Sequence, residues 1–182
     1  MKETFLNLVA YLKNPVPGED TNTDLKYRFQ IFFQILVISI LTAFIITPIF
    51  GLLEELQLIN MEDHKLDDIF KSMGIPLMIL VGAIIVPILE ELMFRGPITL
   101  FKKPKSFKIA FYFFTLIFGF VHITNFEITT NVLLLSPILV LPQIILGGYL
   151  GHIRVRFGLK WSMLLHGTYN CFFLLISTLI DS

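Results

Sequence analysis

The chain has 182 residues, of which 55% are hydrophobic and only 15% charged, with 14 basic and 14 acidic residues and a mean hydropathy of +0.78. Soluble domains carry about 25% charged residues, so this composition excludes an ordinary soluble domain and gives no basis for a nucleic-acid partner. A single cysteine, Cys171, excludes an intrachain disulfide and is read as a small buried hydrophobe.

In the first element, Phe5, Leu8, Val9 and Leu12 recur at helical spacing, which predicts an amphipathic helix lying at the membrane interface. The apolar run Phe5–Leu12 is broken by Asn7 and is not expected to be a secretory signal. Asn14-Pro-Val-Pro-Gly ends the helix, because proline removes a donor and blocks helical continuation. Five stretches then reach the roughly 20 apolar residues needed to cross a bilayer: about Ile31–Leu53, Ile75–Phe101, Lys108–Asn125, Asn131–Ile153 and Lys160–Ile180. The expected fold is therefore all-α, a polytopic bundle, divided into an interfacial segment 1–29 and a transmembrane domain 30–182. The acidic connector 54–74 has apolar residues at helical spacing and can be a short surface helix or a solvated loop. Gly147 and Gly151 form a Gly-x-x-x-Gly pair that suits internal packing better than a homodimer.

Eleven of the 14 basic residues fall in the N-terminal segment, the 102–108 loop and the 154–160 loop, which five spans place on one side. The opposite side receives only Lys65 and Lys71 among six acidic residues. The positive-inside rule then predicts an N-terminus in the cytoplasm and a C-terminus outside, in a plasma (inner) membrane.

Each charged side chain at mid-bilayer costs about 2.5–3.5 kcal/mol, so Glu90, Glu91 and Arg95 in the second span demand an explanation. Glu91 and Arg95 stand at i and i+4 and can neutralise one another. Glu90 lies about 100° around the helix and has no such local partner. Pro87 frees the carbonyl of Ala83, so a kink or a water-accessible opening is expected beside it. His122 in the third span, taken alone, is more often a packed, hydrogen-bonded histidine than a catalyst. His166 and Asn170 in the fifth share a helix face and can donate to one oxygen, or act as interhelical glue. His64 and His152 are read as surface or interfacial residues. At about 1.5 Å per residue from the basic loops, the heights come to roughly 18 Å for Glu90, 21 Å for His122 and 9 Å for His166, leaving a gap for tilt to close. No zinc-protease motif, nucleophile elbow or pair of intramembrane aspartates is present.

The ordered set Glu90-Glu91-Leu-Met-Phe-Arg95, Phe118-Gly-Phe-Val-His122 and His166-Gly-Thr-Tyr-Asn170 resembles the CPBP family of intramembrane proteases, which includes CAAX prenyl endopeptidases and bacterial Abi-type proteins. The resemblance spans roughly residues 75–175. It implies an endopeptidase acting on a membrane-embedded or membrane-associated peptide or protein. In it Glu90 activates water with help from His122, His166 and Asn170 stabilise the oxyanion, and Glu91 with Arg95 position the site. It favours a glutamate-type mechanism without a cofactor, the alternative being zinc held by Glu90, His122 and His166. Family members outside catalysis imply a second possibility, a membrane immunity or scaffold protein that uses the polar cluster structurally. A transporter is a third, disfavoured because no inverted repeat is visible.

Overall fold

Helix formation follows the apolar runs closely. In the computed structural model, residues 1–60 and 73–180 are described, and among them there is no strand. Helix α1 (Lys2–Lys13) is followed by α2 (Leu25–Glu55), capped by Asp24 and containing Pro48. The second span is composite: α3 (Ile75–Ile79), a π-helical stretch Leu80–Ile85, α4 (Val86–Phe94) and a 3₁₀ turn Pro97–Leu100. Then come α5 (Pro104–Val121), a 3₁₀ turn His122–Asn125, α6 (Thr130–Leu139), α7 (Leu141–Phe157) and α8 (Leu159–Ile180). Five segments are long and apolar enough to cross a membrane: Leu25–Glu55, Ile75–Leu100, Pro104–Asn125, Thr130–Phe157 and Leu159–Ile180. They match the five expected spans, with ends that differ by up to six residues. The protein is a polytopic helical membrane bundle. His64 and most of the acidic connector lie outside the described residues.

Helix α7 is the hub. From Leu146 to Ile153 every residue is buried, with α1, α2, α5 and α8 packed around it. Three glycines let it be surrounded so closely, because a side chain at each would strike a neighbour. A Cβ at Gly147 would lie 3.0 Å from both Arg95 and Phe118, one at Gly148 2.9 Å from Leu12, and one at Gly151 2.7 Å from Phe111. The Gly-x-x-x-Gly pair therefore serves internal packing. Between α7 and α8 the chain turns at Gly158 (φ 99, ψ 171), a backbone region open essentially to glycine alone. The outer surface is apolar instead: Ile45, Leu100 and Leu134 are all more than 70% exposed, as lipid-facing side chains must be.

Helix α1 goes further than lying on the interface. Leu8 is fully buried in the main core cluster with Ile35, Leu150 and Ile153. Thr4 hydrogen-bonds Gln34 of α2. The Tyr112 hydroxyl donates to the Leu12 carbonyl at 2.8 Å, which satisfies an orphan acceptor at the helix end. This docking also corrects the placement of His152. It is 6% exposed rather than interfacial, because the Tyr11 ring covers it edge-on at a centroid distance of 4.6 Å. Behind α1, Asp20 pairs with Arg156 and its N–H donates to the Arg156 carbonyl at 2.9 Å. Lys108 donates to Asn14 Oδ1 at 3.1 Å. The three basic segments therefore meet at one end of the bundle.

Candidate active site

The π-helical stretch determines where the site lies. Pro87 has no N–H to offer the previous turn, and the chain widens to π geometry at Leu80–Ile85 instead of continuing as regular α-helix. Helix α8 fills against the resulting irregularity. Gly167 packs so near the Ala83 carbonyl oxygen that a Cβ there would collide with it. Three residues on, Asn170 Nδ2 donates to the Gly82 carbonyl at 3.0 Å. Two backbone oxygens in the middle of a span thus meet α8, which is how irregular backbone is tolerated at membrane depth. This docking holds His166 at the height of the two glutamates.

Glu91, Arg95 and His166 form the buried half of the site. Glu91 and Arg95 are the expected i, i+4 pair, Nη1 to Oε1 at 3.6 Å, with side chains 0% and 1% exposed. The same Oε1 lies 3.1 Å from His166 Nδ1. The Arg95 guanidinium carbon sits 3.7 Å from the Phe118 ring centroid, a cation–π contact worth about 2 kcal/mol when desolvated. Gly147 supplies the room for this stack. Arg154 anchors the turn after Arg95, donating to the Arg95 carbonyl at 3.2 Å and to Thr99 Oγ1 at 2.9 Å.

Glu90 and His122 form the open half. Each side chain is 18% exposed, and His122 Nε2 lies 4.0 Å from Glu90 Oε1. The other carboxylate oxygen of Glu90 is 3.5 Å from His166 Nε2. His122 Nδ1 donates to the Phe118 carbonyl at 2.7 Å, so in the neutral ring Nε2 carries the lone pair and faces Glu90. Both imidazoles pack edge-on to Phe118, at 4.8 Å for His122 and 5.6 Å for His166. Five of the six residues singled out from the sequence, Glu90, Glu91, Arg95, His122 and His166, come together from three spans, and the height gap for His166 is closed. Asn170 is one helical turn from His166, with one amide hydrogen committed to Gly82.

Three residues of the site went unrecognised in the sequence. Phe118 enters the sequence only as one position of the Phe-x-x-x-His pattern, yet its ring touches Arg95, His122 and His166. Gly167 and Gly147 give no chemical signal, although each adjoins a site residue in space or in sequence. For a metal, Glu90, His122 and His166 are the nearest donors, but among the described residues no group of three His, Cys, Asp or Glu side chains is arranged to hold one.

The sequence matches a family model over residues 72–172, more than half of the chain, described as type II CAAX prenyl endopeptidase Rce1-like. The chain belongs to this Rce1-like family. The matched stretch runs from the π-helical span to just past Asn170, so it contains the whole cluster. Membership places the chain among the CAAX-type proteases, which hydrolyse peptide bonds, at the level of class. No curated protein and no solved structure shows significant similarity to it.

Proposed function

We propose that this Rce1-like protein is an intramembrane endopeptidase in which Glu90 activates a water molecule for attack on a peptide bond of a membrane-embedded or membrane-associated substrate. The observation that carries the proposal is the 4.0 Å separation of Glu90 Oε1 and His122 Nε2 in a partly open corner of a buried polar layer. That distance is too long for a direct hydrogen bond, and one water lying off the line between the two atoms can bond to both. The carboxylate takes a proton as the water oxygen joins the carbonyl carbon, and His122 fixes the water and shares its proton.

His166 serves the developing oxyanion. With Nδ1–H given to Glu91, its Nε2 carries a donor hydrogen only as imidazolium, and that charge balances the second carboxylate in the set Glu90, Glu91, Arg95 and His166. The free amide hydrogen of Asn170 supplies a second donor. Donors of this kind are each worth about 10²–10³-fold in rate. Glu91 and Arg95 hold the His166 ring in place and do not touch the substrate. The mechanism needs no metal, and exhaustive chelation of purified protein leaves its activity intact. Zinc bound stoichiometrically through His122 and His166 would contradict this.

The clustering of all three basic segments at one end of the bundle supports an N-terminus in the cytoplasm. Membrane proteomics comparing wild type with Glu90→Gln tests the function without naming a substrate in advance. Uncleaved precursors accumulate in the variant if the proposal holds. Identical membrane proteomes would favour a structural protein that uses the cluster as glue.

A further inference from the structure

The two sides of the polar layer are built differently. Toward the basic segments it is sealed. Arg95 lies on Phe118, and behind them Ile98, Phe107, Phe111 and Leu150 fill the bundle, none of the six more than 2% exposed. Packing of that density leaves no passage for a peptide.

Toward the opposite end the layer is open. Helix α8 runs outward from Leu159, and among its described residues none beyond His166 is buried. On α7 burial begins at Leu146, and Leu141–Ile145, which precede it on the outer side, are all partly exposed. Helix lengths explain the gap. Helix α5 stops at Val121, level with the site, whereas the second span reaches back from Glu90 to Ile75, roughly 20 Å further out at about 1.5 Å per residue. That outer half packs on α8 through Gly167 and Asn170. The chain that follows α5 is polar: Thr124, Glu127, Thr129 and Thr130 are exposed. Glu127 lies within about 17 Å of His122 even along a fully extended chain, whereas Lys108, at the basic end of the same span, is about 21 Å away. An exposed carboxylate needs water rather than hydrocarbon at its depth. The same loop walls a cavity of about 480 Å³, with Glu127, Thr129 and Asn131 facing Gln57 just past α2. Water at this loop stands one 3₁₀ turn from His122.

We propose that the peptide enters from this end of the bundle, opposite the three basic segments, so that the bond cut lies on the outer side of the membrane. The inference rests on the peptidase function and the orientation proposed above. It narrows the substrate to a membrane-associated peptide whose cleaved segment is exposed outside the cytoplasm. The order of the groups fits that approach. Glu90 and His122 are the partly exposed members of the layer, and Asn170 stands one turn further out than His166, where an incoming carbonyl meets it first. Glu91 and Arg95 lie on the sealed side. A peptide arriving from the basic end would have to part the guanidinium from the Phe118 ring.

The test is access from each side, read without cleavage. Full-length protein with Cys171→Ser carries one new cysteine, His122→Cys or Glu90→Cys, in right-side-out and in inverted membrane vesicles. A charged, membrane-impermeant methanethiosulfonate is added outside the vesicles. Glu127→Cys and Lys105→Cys, both at exposed positions, mark the two faces. Expected is reaction of both site cysteines in right-side-out vesicles, together with Glu127→Cys, and loss of that reaction in inverted ones, where Lys105→Cys reacts. Site cysteines that react together with Lys105→Cys, or from neither face, would overturn the inference, as would Glu127→Cys reacting only in inverted vesicles. A second measurement needs no site variant. Wild-type protein is reconstituted with the precursor that accumulates in Glu90→Gln membranes, and the new N-terminus should react with an impermeant amine reagent from the Glu127 face. A new terminus on the Lys105 face would overturn the route and leave the peptidase function standing. If no precursor accumulates in Glu90→Gln membranes, it is the peptidase function that fails.

Discussion

Two polar clusters are built into this apolar bundle, and they solve the problem of charge differently. At the N-terminal end, Asp20 is saturated: it accepts from Arg156, from the Tyr27 hydroxyl at 3.0 Å and from the Asn22 N–H at 2.9 Å. Arg156 is 36% exposed, so water shares the load. In the mid-span layer, Arg95 is 1% exposed, its terminal nitrogens make no hydrogen bond among the described residues, and it rests on a ring. Glu90 there reaches its histidines only at 3.5 and 4.0 Å. A clamp satisfies its charges, whereas a reactive site leaves bonding capacity for a visitor. The difference separates architecture from chemistry more clearly than the mere presence of charges does.

The sharpest way to break this comparison is Arg95→Ala. It strands the Glu91 carboxylate, 0% exposed, without its cation. The expected loss is about 3–5 kcal/mol, read as a large drop in Tm and expression together with activity. A stable, inactive Arg95→Ala protein would show instead that Arg95 acts in the chemistry. Gly167→Ala comes next. Its new methyl meets the backbone oxygen of Ala83, which cannot swing aside as a side chain would. About 1–3 kcal/mol of destabilisation is expected. Activity should fall by more than the stability loss explains, because His166 and Asn170 flank the displaced residue. Gly148→Ala is a control, since it meets only the flexible tip of Leu12.

The smallest effect concerns the clamp. Burial would raise the Asp20 carboxyl, but hydrogen bonds from Asn22, Arg156 and Tyr27 outweigh it and hold the group below its usual value of 3.8. A lowered folded value means that stabilisation is complete above 3.8 and is lost as the pH falls below it toward the folded value. Acidification should therefore loosen the N-terminal segment with a small change in Tm, and Asp20→Asn should remove that pH dependence. The pair is exposed enough that about 0–1 kcal/mol is at stake. Protease accessibility of residues 14–24 measures it, and a pH-independent accessibility in wild type would contradict the clamp.

The fold was legible in the sequence because bilayer-length apolar runs leave the backbone one choice, a helix satisfying its own hydrogen bonds. The site was legible for a related reason: charges in such runs are costly, so Glu90, Glu91, Arg95, His122 and His166 stood out against their background. What stayed hidden was relational. The widening at Leu80–Ile85 was foreshadowed by Pro87, but that α8 would dock there through Gly167 depends on a close approach between distant segments. The burial of His152 depends on α1 docking over it, and amphipathic spacing cannot distinguish a bilayer surface from a protein surface.

Glu90 and Glu91 are neighbours in sequence with opposite assignments, and a paired measurement on them tests the account most directly. Purified Glu90→Gln and Glu91→Gln are compared with wild type for cleavage of accumulated precursor and for Tm. Gln keeps the volume and hydrogen bonding of Glu but cannot serve as a base. The account predicts that Glu90→Gln keeps the wild-type Tm and loses cleavage altogether, while Glu91→Gln loses stability as Arg95 is left without its counter-charge. A Glu90→Gln protein that is folded and cleaves at the wild-type rate would contradict it.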